Sequence, residues 1–179
     1  TYCDYEVLKD ALEEAANNPL VSAISIATRP DSVSDEVLNL LGDVNKRIPV
    51  FVELGLQTYK DETAQKFNRG YMSSVYVECV GRLKSVGINV ITHIIFGLPS
   101  ETVDDMIRSV QFAVDAGTDG VKFTCLYILS GTRMESLFKS GEVVPLQLEE
   151  YFDIVDKALN ILPENIVVHR LTGDGPKNL

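Results

Sequence analysis

Glu53 stands in the middle of an apolar run, Val50-Phe-Val-Glu-Leu-Gly-Leu-Gln57. A carboxylate in such a run is costly to bury unless it finds a partner or a ligand. The two-residue period of a strand puts Val50, Val52, Leu54 and Leu56 on one face, and Phe51, Glu53, Gly55 and Gln57 on the other. Glu53 and Gln57 therefore point into a barrel or crevice, away from the helices that cover the leucines and valines. Lys122, inside Val121-Lys-Phe-Thr-Cys-Leu126, is an available partner for Glu53. The two either satisfy each other or meet a ligand, and the residue pattern allows both. His93, in Asn89-Val-Ile-Thr-His-Ile-Ile-Phe96, shares a face with Ile91 and Ile95, a setting in which histidine is more often a hydrogen-bonded core residue than a catalyst. His169 carries a weaker signal. Cys3, Cys79 and Cys125 are too widely spaced for a disulfide framework or a chelating loop, and with two histidines they assemble no ordinary zinc site.

These residues need elements to position them. Four runs rich in branched residues predict buried strands: Val21 to Ile26, Val50 to Leu56, Ile88 to Phe96 and Gly120 to Ile128. Ile166 to Leu171, after the turn Leu162-Pro-Glu-Asn165, is a fifth candidate. Between them, helical spacing links Val37, Leu40, Leu41 and Val44; then Tyr76, Val80 and Leu83; then Val103, Met106, Ile107, Val110 and Val114. Leu148, Tyr151, Phe152, Val155, Leu159 and Leu162 form another stripe, and Leu8, Leu12 and Ala15 mark a helix before the first strand. Ser34 and Ser100 each precede acidic residues, as helix N-caps do, while Gly87 and Gly117 stand where glycine closes a helix. Alternating strands and helices predict an α/β fold with a parallel sheet, either a barrel or a doubly wound sheet. In both, ligands gather at the carboxyl ends of the strands. Those ends carry Arg29-Pro-Asp31, Asn68-Arg69-Gly70, Gly97-Leu-Pro99, Ser130-Gly-Thr132 and Thr172-Gly-Asp-Gly-Pro176.

The 179 residues, 45% of them hydrophobic, predict a single domain spanning 1–179, with no linker and no repeat. A formal net charge of -10 argues against a large phosphate-tracking surface, so nucleic acid is not indicated. No apolar run approaches the roughly 20 residues of a membrane helix, and the acidic, amphipathic first segment is no signal peptide. A soluble, cytoplasmic protein without a membrane partner is the expectation.

The order of the motifs is more specific than any one of them. Thr28-Arg-Pro-Asp31, Glu53-Leu-Gly-Leu-Gln57, Asn68-Arg69-Gly70, Gly97-Leu-Pro99 and Gly131-Thr132 resemble, in that order, the radical S-adenosylmethionine (SAM) enzymes. They are similar to the group holding the Elongator catalytic subunit and the oxygen-independent coproporphyrinogen III oxidase. The ending His169-Arg-Leu-Thr-Gly-Asp-Gly-Pro176 looks closer to an uncharacterised bacterial family of Fe-S oxidoreductases. The resemblance covers essentially the whole chain and implies a partial TIM-like (β/α)6 barrel. In such a barrel a [4Fe-4S] cluster reductively cleaves SAM to methionine and a 5'-deoxyadenosyl radical.

By motif position, the resemblance makes Gln57 a ligand of the SAM ribose, Arg69 the holder of the methionyl carboxylate, and His93 a polar neighbour of the ribose. It sets the backbone around Phe96-Gly97 and Leu126-Tyr127 beside the adenine. Ala27 stands where some relatives carry a glutamate for the SAM amino group, a contact that Glu53 is placed to supply instead. The family's cluster motif, CxxxCxxC, is absent, and Cys3, Cys79 and Cys125 cannot replace it at their spacing. The expectation is a carboxyl-terminal part of a radical SAM core, inactive alone, with an exposed strand edge through which it dimerises or at which it is poorly ordered. The alternatives are a phosphate-binding barrel isomerase or aldolase using Lys122 and the Gly173-Asp-Gly175 turn, and a non-catalytic SAM-type binding module. Relatives act on tRNA, porphyrins and other molecules, so the substrate stays open and tRNA remains among the candidates.

Overall fold

The computed structural model describes residues 3–173. Helix α1 (Tyr5–Asn17) leads into β1 (Ile24–Thr28), and a 3-10 turn at Pro30–Ser32 passes the chain to α2 (Asp35–Asn45) and β2 (Val50–Gln57). Next come α3 (Asp61–Lys66), α4 (Ser73–Ser85), β3 (Asn89–Phe96), α5 (Val103–Asp115) and β4 (Gly120–Cys125). Helices α6 (Arg133–Lys139) and α7 (Leu148–Ile161) precede β5 (Val167–Arg170).

Every strand pair is parallel, and the sheet order is β1-β2-β3-β4-β5, the order of the chain. That order decides between the two architectures. Right-handed crossovers that always step the same way stack their helices on one face, whereas a doubly wound sheet must reverse direction once. The sheet is therefore the arc of a barrel, with one face turned to helices and the other to the lumen. Burial follows: Val50, Val52, Leu54 and Leu56 of β2 are fully buried, while Phe51, Glu53, Gly55 and Gln57 alternate with them half-buried. Val90, Ile94, Phe96, Val121 and Phe123 continue the apolar face into β3 and β4, and one core cluster joins them to Leu41, Val80, Leu83, Val110 and Ile154 of the helices.

The first strand begins at Ile24 rather than Val21, because the Val21 N–H bonds the Asn18 carbonyl at 3.0 Å and closes a turn behind α1. Ile24 is where the main chain first reaches its neighbour, at the Pro49 carbonyl (2.9 Å). The fourth strand stops at Cys125 rather than Ile128: after a last rung from Leu126 N–H to the Phe96 carbonyl (2.9 Å), the chain leaves the sheet. Ser34 caps α2 as expected, accepting from the Val37 N–H. Ser100 does not cap α5. It adopts a left-handed φ of 67°, and the cap is Thr102, in a reciprocal capping box with Asp105. Gly87 and Gly117, at φ 77° and 91°, close α4 and α5 as the sequence implies. Short α6 had no readable stripe; Thr132 caps it, and none of its residues is buried.

Thr102→Ala removes one half of the capping box and should lower stability by about 1 kcal/mol, roughly 2–4 °C in Tm for a chain of this size. Ser100→Gly should leave Tm unchanged or raise it, because glycine adopts positive φ without strain. Thermal melts of the two variants, followed by circular dichroism, check both signs.

Candidate functional site on the concave face

Glu53 lies at the centre of the lumen-facing side of the sheet. Its Oε1 accepts from Ser25 Oγ of β1 (2.8 Å) and from Lys122 Nζ of β4 (2.6 Å), and its Oε2 meets His93 Nε2 of β3 (2.8 Å). Register explains the convergence, since Ala27 pairs with Glu53, Gly55 with His93, and His93 with Lys122. Burial pushes the Glu53 carboxyl up, but the bonds from Lys122, Ser25 and His93 outweigh it and hold the group at about 2. Lys122 is thus the partner that the sequence offered. His169 of β5 sits next to this group, its ring where a side chain at Gly120 would be; burial and the Lys122 charge hold its pKa below the ordinary histidine value, against the pull of Glu53.

Toward the carboxyl ends of the first three strands, Ala27, Thr28, Glu53, Gly55, Gln57 and His93 line a cleft of about 180 Å³. Three of the expected site residues, Glu53, Gln57 and His93, meet there. Gln57 ends β2 in a left-handed conformation, φ 59°, at a register shift after Gly55. Its Nε2 lies 2.2 Å from the point a Gly55 Cβ would occupy, so glycine is what lets the amide fold back over the strand.

Arg69, the expected holder of a carboxylate, is engaged with protein groups in this structure. Its side chain is 2% exposed, and all of its N–H groups are engaged. Nε bonds the Tyr71 carbonyl, Nη1 the carbonyls of Leu56 and Thr58, and Nη2 the Asp61 carboxylate and Ser73 hydroxyl. No donor is left for a ligand carboxylate in this arrangement. The Leu56 and Thr58 carbonyls flank Gln57, so Arg69 clamps the turn that sets the left-handed residue in place.

Gly97 and Tyr127 lie apart from the cleft. Gly97, at φ 86°, ends β3 with its N–H on Met106 Sδ (3.1 Å). Tyr127 follows β4, gives its hydroxyl to the Gly173 carbonyl, and borders a separate hollow with Phe138, Lys139 and Pro145. The two ends are nonetheless adjacent through the Leu126–Phe96 rung. Of the Gly173-Asp-Gly175 turn, Asp174 and Gly175 lie outside the described residues, as does Pro176.

Ser25 and Tyr71 are participants that the sequence reading missed. Ser25 is two residues from Ala27 and so shares its face, a period-two signal that was available. Tyr71 follows Asn68-Arg69-Gly70 directly. The guanidinium carbons of Arg29 and Arg69 lie 5.0 and 4.8 Å from its ring centroid, and its hydroxyl donates to the Gly55 carbonyl at 2.5 Å.

The cysteines offer no cluster. Cys3 is exposed, Cys79 buried and Cys125 half-buried, all free. Burial pushes the Cys79 thiol up to about 11 and raises Cys125 as well, so neither is an activated thiolate in the free chain. Among the described residues no group of three or more His, Cys, Asp or Glu side chains is arranged to hold a metal ion. No helix of the described residues is long and apolar enough to cross a membrane.

Comparison with known proteins supplies the context for this geometry. The family model of the radical SAM superfamily matches residues 2–113, and that of the radical SAM C-terminal domain matches 118–179. YtqA of Bacillus subtilis, an uncharacterised protein, is 40% identical over 179 residues, covering 100% of this chain and 56% of YtqA. The chain thus spans about half the length of the curated relatives it matches. Among solved structures, Elp3 of the archaeon Methanocaldococcus infernus superposes with a TM-score of 0.81 at 25% identity, over 94% of this chain and 40% of that one. Coproporphyrinogen III oxidase (HemN) of Escherichia coli, a radical SAM enzyme, shares the fold at a TM-score of 0.69 and 15% identity, over 90% of this chain and 37% of its own.

The held carboxylate has a pH signature. With the folded pKa of Glu53 depressed to about 2 from an ordinary 4.5, its stabilisation is complete above about 4.5 and is lost as the pH falls through about 2. Glu53→Gln should destabilise the protein by about 3 kcal/mol at pH 7, because Lys122 is left buried without its counter-charge. The difference between variant and wild type should shrink across that same acid window. Urea unfolding at a series of pH values measures it.

Proposed function

The chain belongs to the radical SAM superfamily, and from that premise we propose that it forms the nucleoside-binding strand ends of an enzyme that reductively cleaves SAM with a [4Fe-4S] cluster. The observation carrying this reading is the cleft at the strand ends, where Gln57 and His93 converge over Gly55 and Ala27.

The residues present suit a ribose. With His93 Nε2–H donating to Glu53, Nδ1 is left as an acceptor, while the Gln57 amide Nε2 is a donor. A vicinal diol, each hydroxyl both donor and acceptor, matches one acceptor and one donor set side by side. Gly55 and Ala27 keep the wall low enough for a sugar ring to approach. The base is assigned, on the family resemblance, to the neighbouring main-chain segments Phe96-Gly97 and Leu126-Tyr127, which are joined by the Leu126–Phe96 rung. Glu53 keeps one lone pair after its three protein bonds and borders Ala27 in the cleft. It is thereby suited to an ammonium group such as the amino group of SAM.

The cluster, when bound, supplies the electron that breaks a carbon–sulfur bond of SAM. Its ligands do not come from the three cysteines of this chain, whose spacing does not fit it and which belong to no metal-holding group among the described residues. We assign them to sequence flanking these residues in the complete gene product. Lys122 is committed to Glu53 and leaves a phosphate-binding isomerase or aldolase without its catalytic amine. The open outer side of β1, paired only with β2 among the described residues, supports self-association of this piece through that edge.

Anaerobic reconstitution of the complete gene product with iron and sulfide, followed by SAM and a low-potential reductant, should yield 5'-deoxyadenosine above a cluster-free control. A preparation that forms no cluster overturns the assignment and favours a SAM-type binding module without radical chemistry. Sedimentation velocity of the 179-residue chain should show a dimer; a monomer at every concentration contradicts pairing through the β1 edge.

A further inference from the structure

We propose that Tyr71 is the positioning residue of this cleft: its hydroxyl fixes the Gln57 side-chain amide so that Nε2 is held over Gly55 as a donor to a ligand oxygen. The inference deepens the nucleoside reading of the cleft and rests on it for the identity of the ligand.

Tyr71 is itself immobilised. Arg29 and Arg69 both lie against its ring, and Arg69, with every donor spent on neighbouring groups, is a fixed support. The Tyr71 hydroxyl shares its single proton in a three-centre bond, chiefly with the Gly55 carbonyl at 2.5 Å and, as the longer arm, with Gln57 Oε1 at 3.3 Å. With Oε1 turned toward Tyr71, the amide shows its Nε2 edge over the bare Cα of Gly55. Burial holds the phenol at about 12, so it keeps its proton, and with it the ability to donate, through the neutral range. A glutamine side chain is costly to order, and one ordered before the ligand arrives has already lost that freedom. Arg69 sets the backbone of Gln57 through Leu56 and Thr58, while Tyr71 sets its side chain. Two consecutive functions are thus delivered by residues of one short segment, 69–71.

The direct test needs no ligand. In the 179-residue chain, nitrogen relaxation of the Gln57 side-chain amide should report an ordered group in wild type and a mobile one in Tyr71→Phe. An amide equally ordered in both overturns the proposal. A second arm uses S-adenosylhomocysteine as the probe. Tyr71→Phe should weaken its binding about tenfold, with no further loss when the same change is made in a Gln57→Ala background. Additive losses would mean that Tyr71 acts independently of Gln57, and would also overturn it. Gly55→Ala, whose Cβ would lie 2.2 Å from Gln57 Nε2 and 3.3 Å from the Tyr71 hydroxyl, displaces the amide and crowds the hydroxyl, and should reproduce the loss. If Tyr71→Phe frees the amide but Gln57→Ala binds the probe as well as wild type does, the positioning role stands and the nucleoside reading fails.

Discussion

A carboxylate set among parallel strands must be answered from both sides, and Glu53 is answered from three strands at once. Ser25, His93 and Lys122 reach it from β1, β3 and β4, so one acceptor joins four consecutive strands on the face opposite the apolar core. On the opposite face, apolar packing fixes the same strands through Val52, Leu54, Ile94 and Phe123. The two faces obey different physics. Packing is tolerant of small shifts, whereas a buried charge is satisfied only when its partners arrive at hydrogen-bond distance. A one-residue slip of β2 would send Glu53 into the core and strand Lys122. The ion pair therefore helps to specify the register that brings Gln57, Gly55 and His93 to one cleft.

Beyond that register, the end of β2 is an unusual piece of backbone. Gln57 enters left-handed space, and the Thr58 N–H turns back onto the Leu56 carbonyl at 2.7 Å. Such a turn persists because its surroundings over-determine it. Arg69 holds the carbonyls on either side, Asp61 and Ser73 hold Arg69, and Tyr71 packs against it. The polar groups that a ligand would meet are thus a small exposed part of a larger network buried beneath them.

Much of this was readable in the sequence. The branched runs fixed which segments are strands, and alternation in Val50 to Gln57 separated the core face from the lumen face correctly. Need for a counter-charge pointed from Glu53 to Lys122. What the sequence left open was non-local. Strand order, which separates a barrel arc from a doubly wound sheet, is not encoded in any periodicity. The clamp that Arg69 makes was illegible for a related reason: motif position names a residue but not how many of its donors the fold has already used. Ser100 and Thr102 are both plausible caps by type, and only the backbone conformation chooses. Short α6 is missing from the pattern because none of its residues enters the core.

The account turns on whether SAM is bound at these strand ends beside a cluster. The most direct measurement is electron paramagnetic resonance of the reduced, reconstituted gene product during titration with SAM. Binding next to the cluster should change its spectrum, and Gln57→Ala should shift the titration to about tenfold higher SAM. A loaded cluster whose spectrum never responds to SAM would contradict the account.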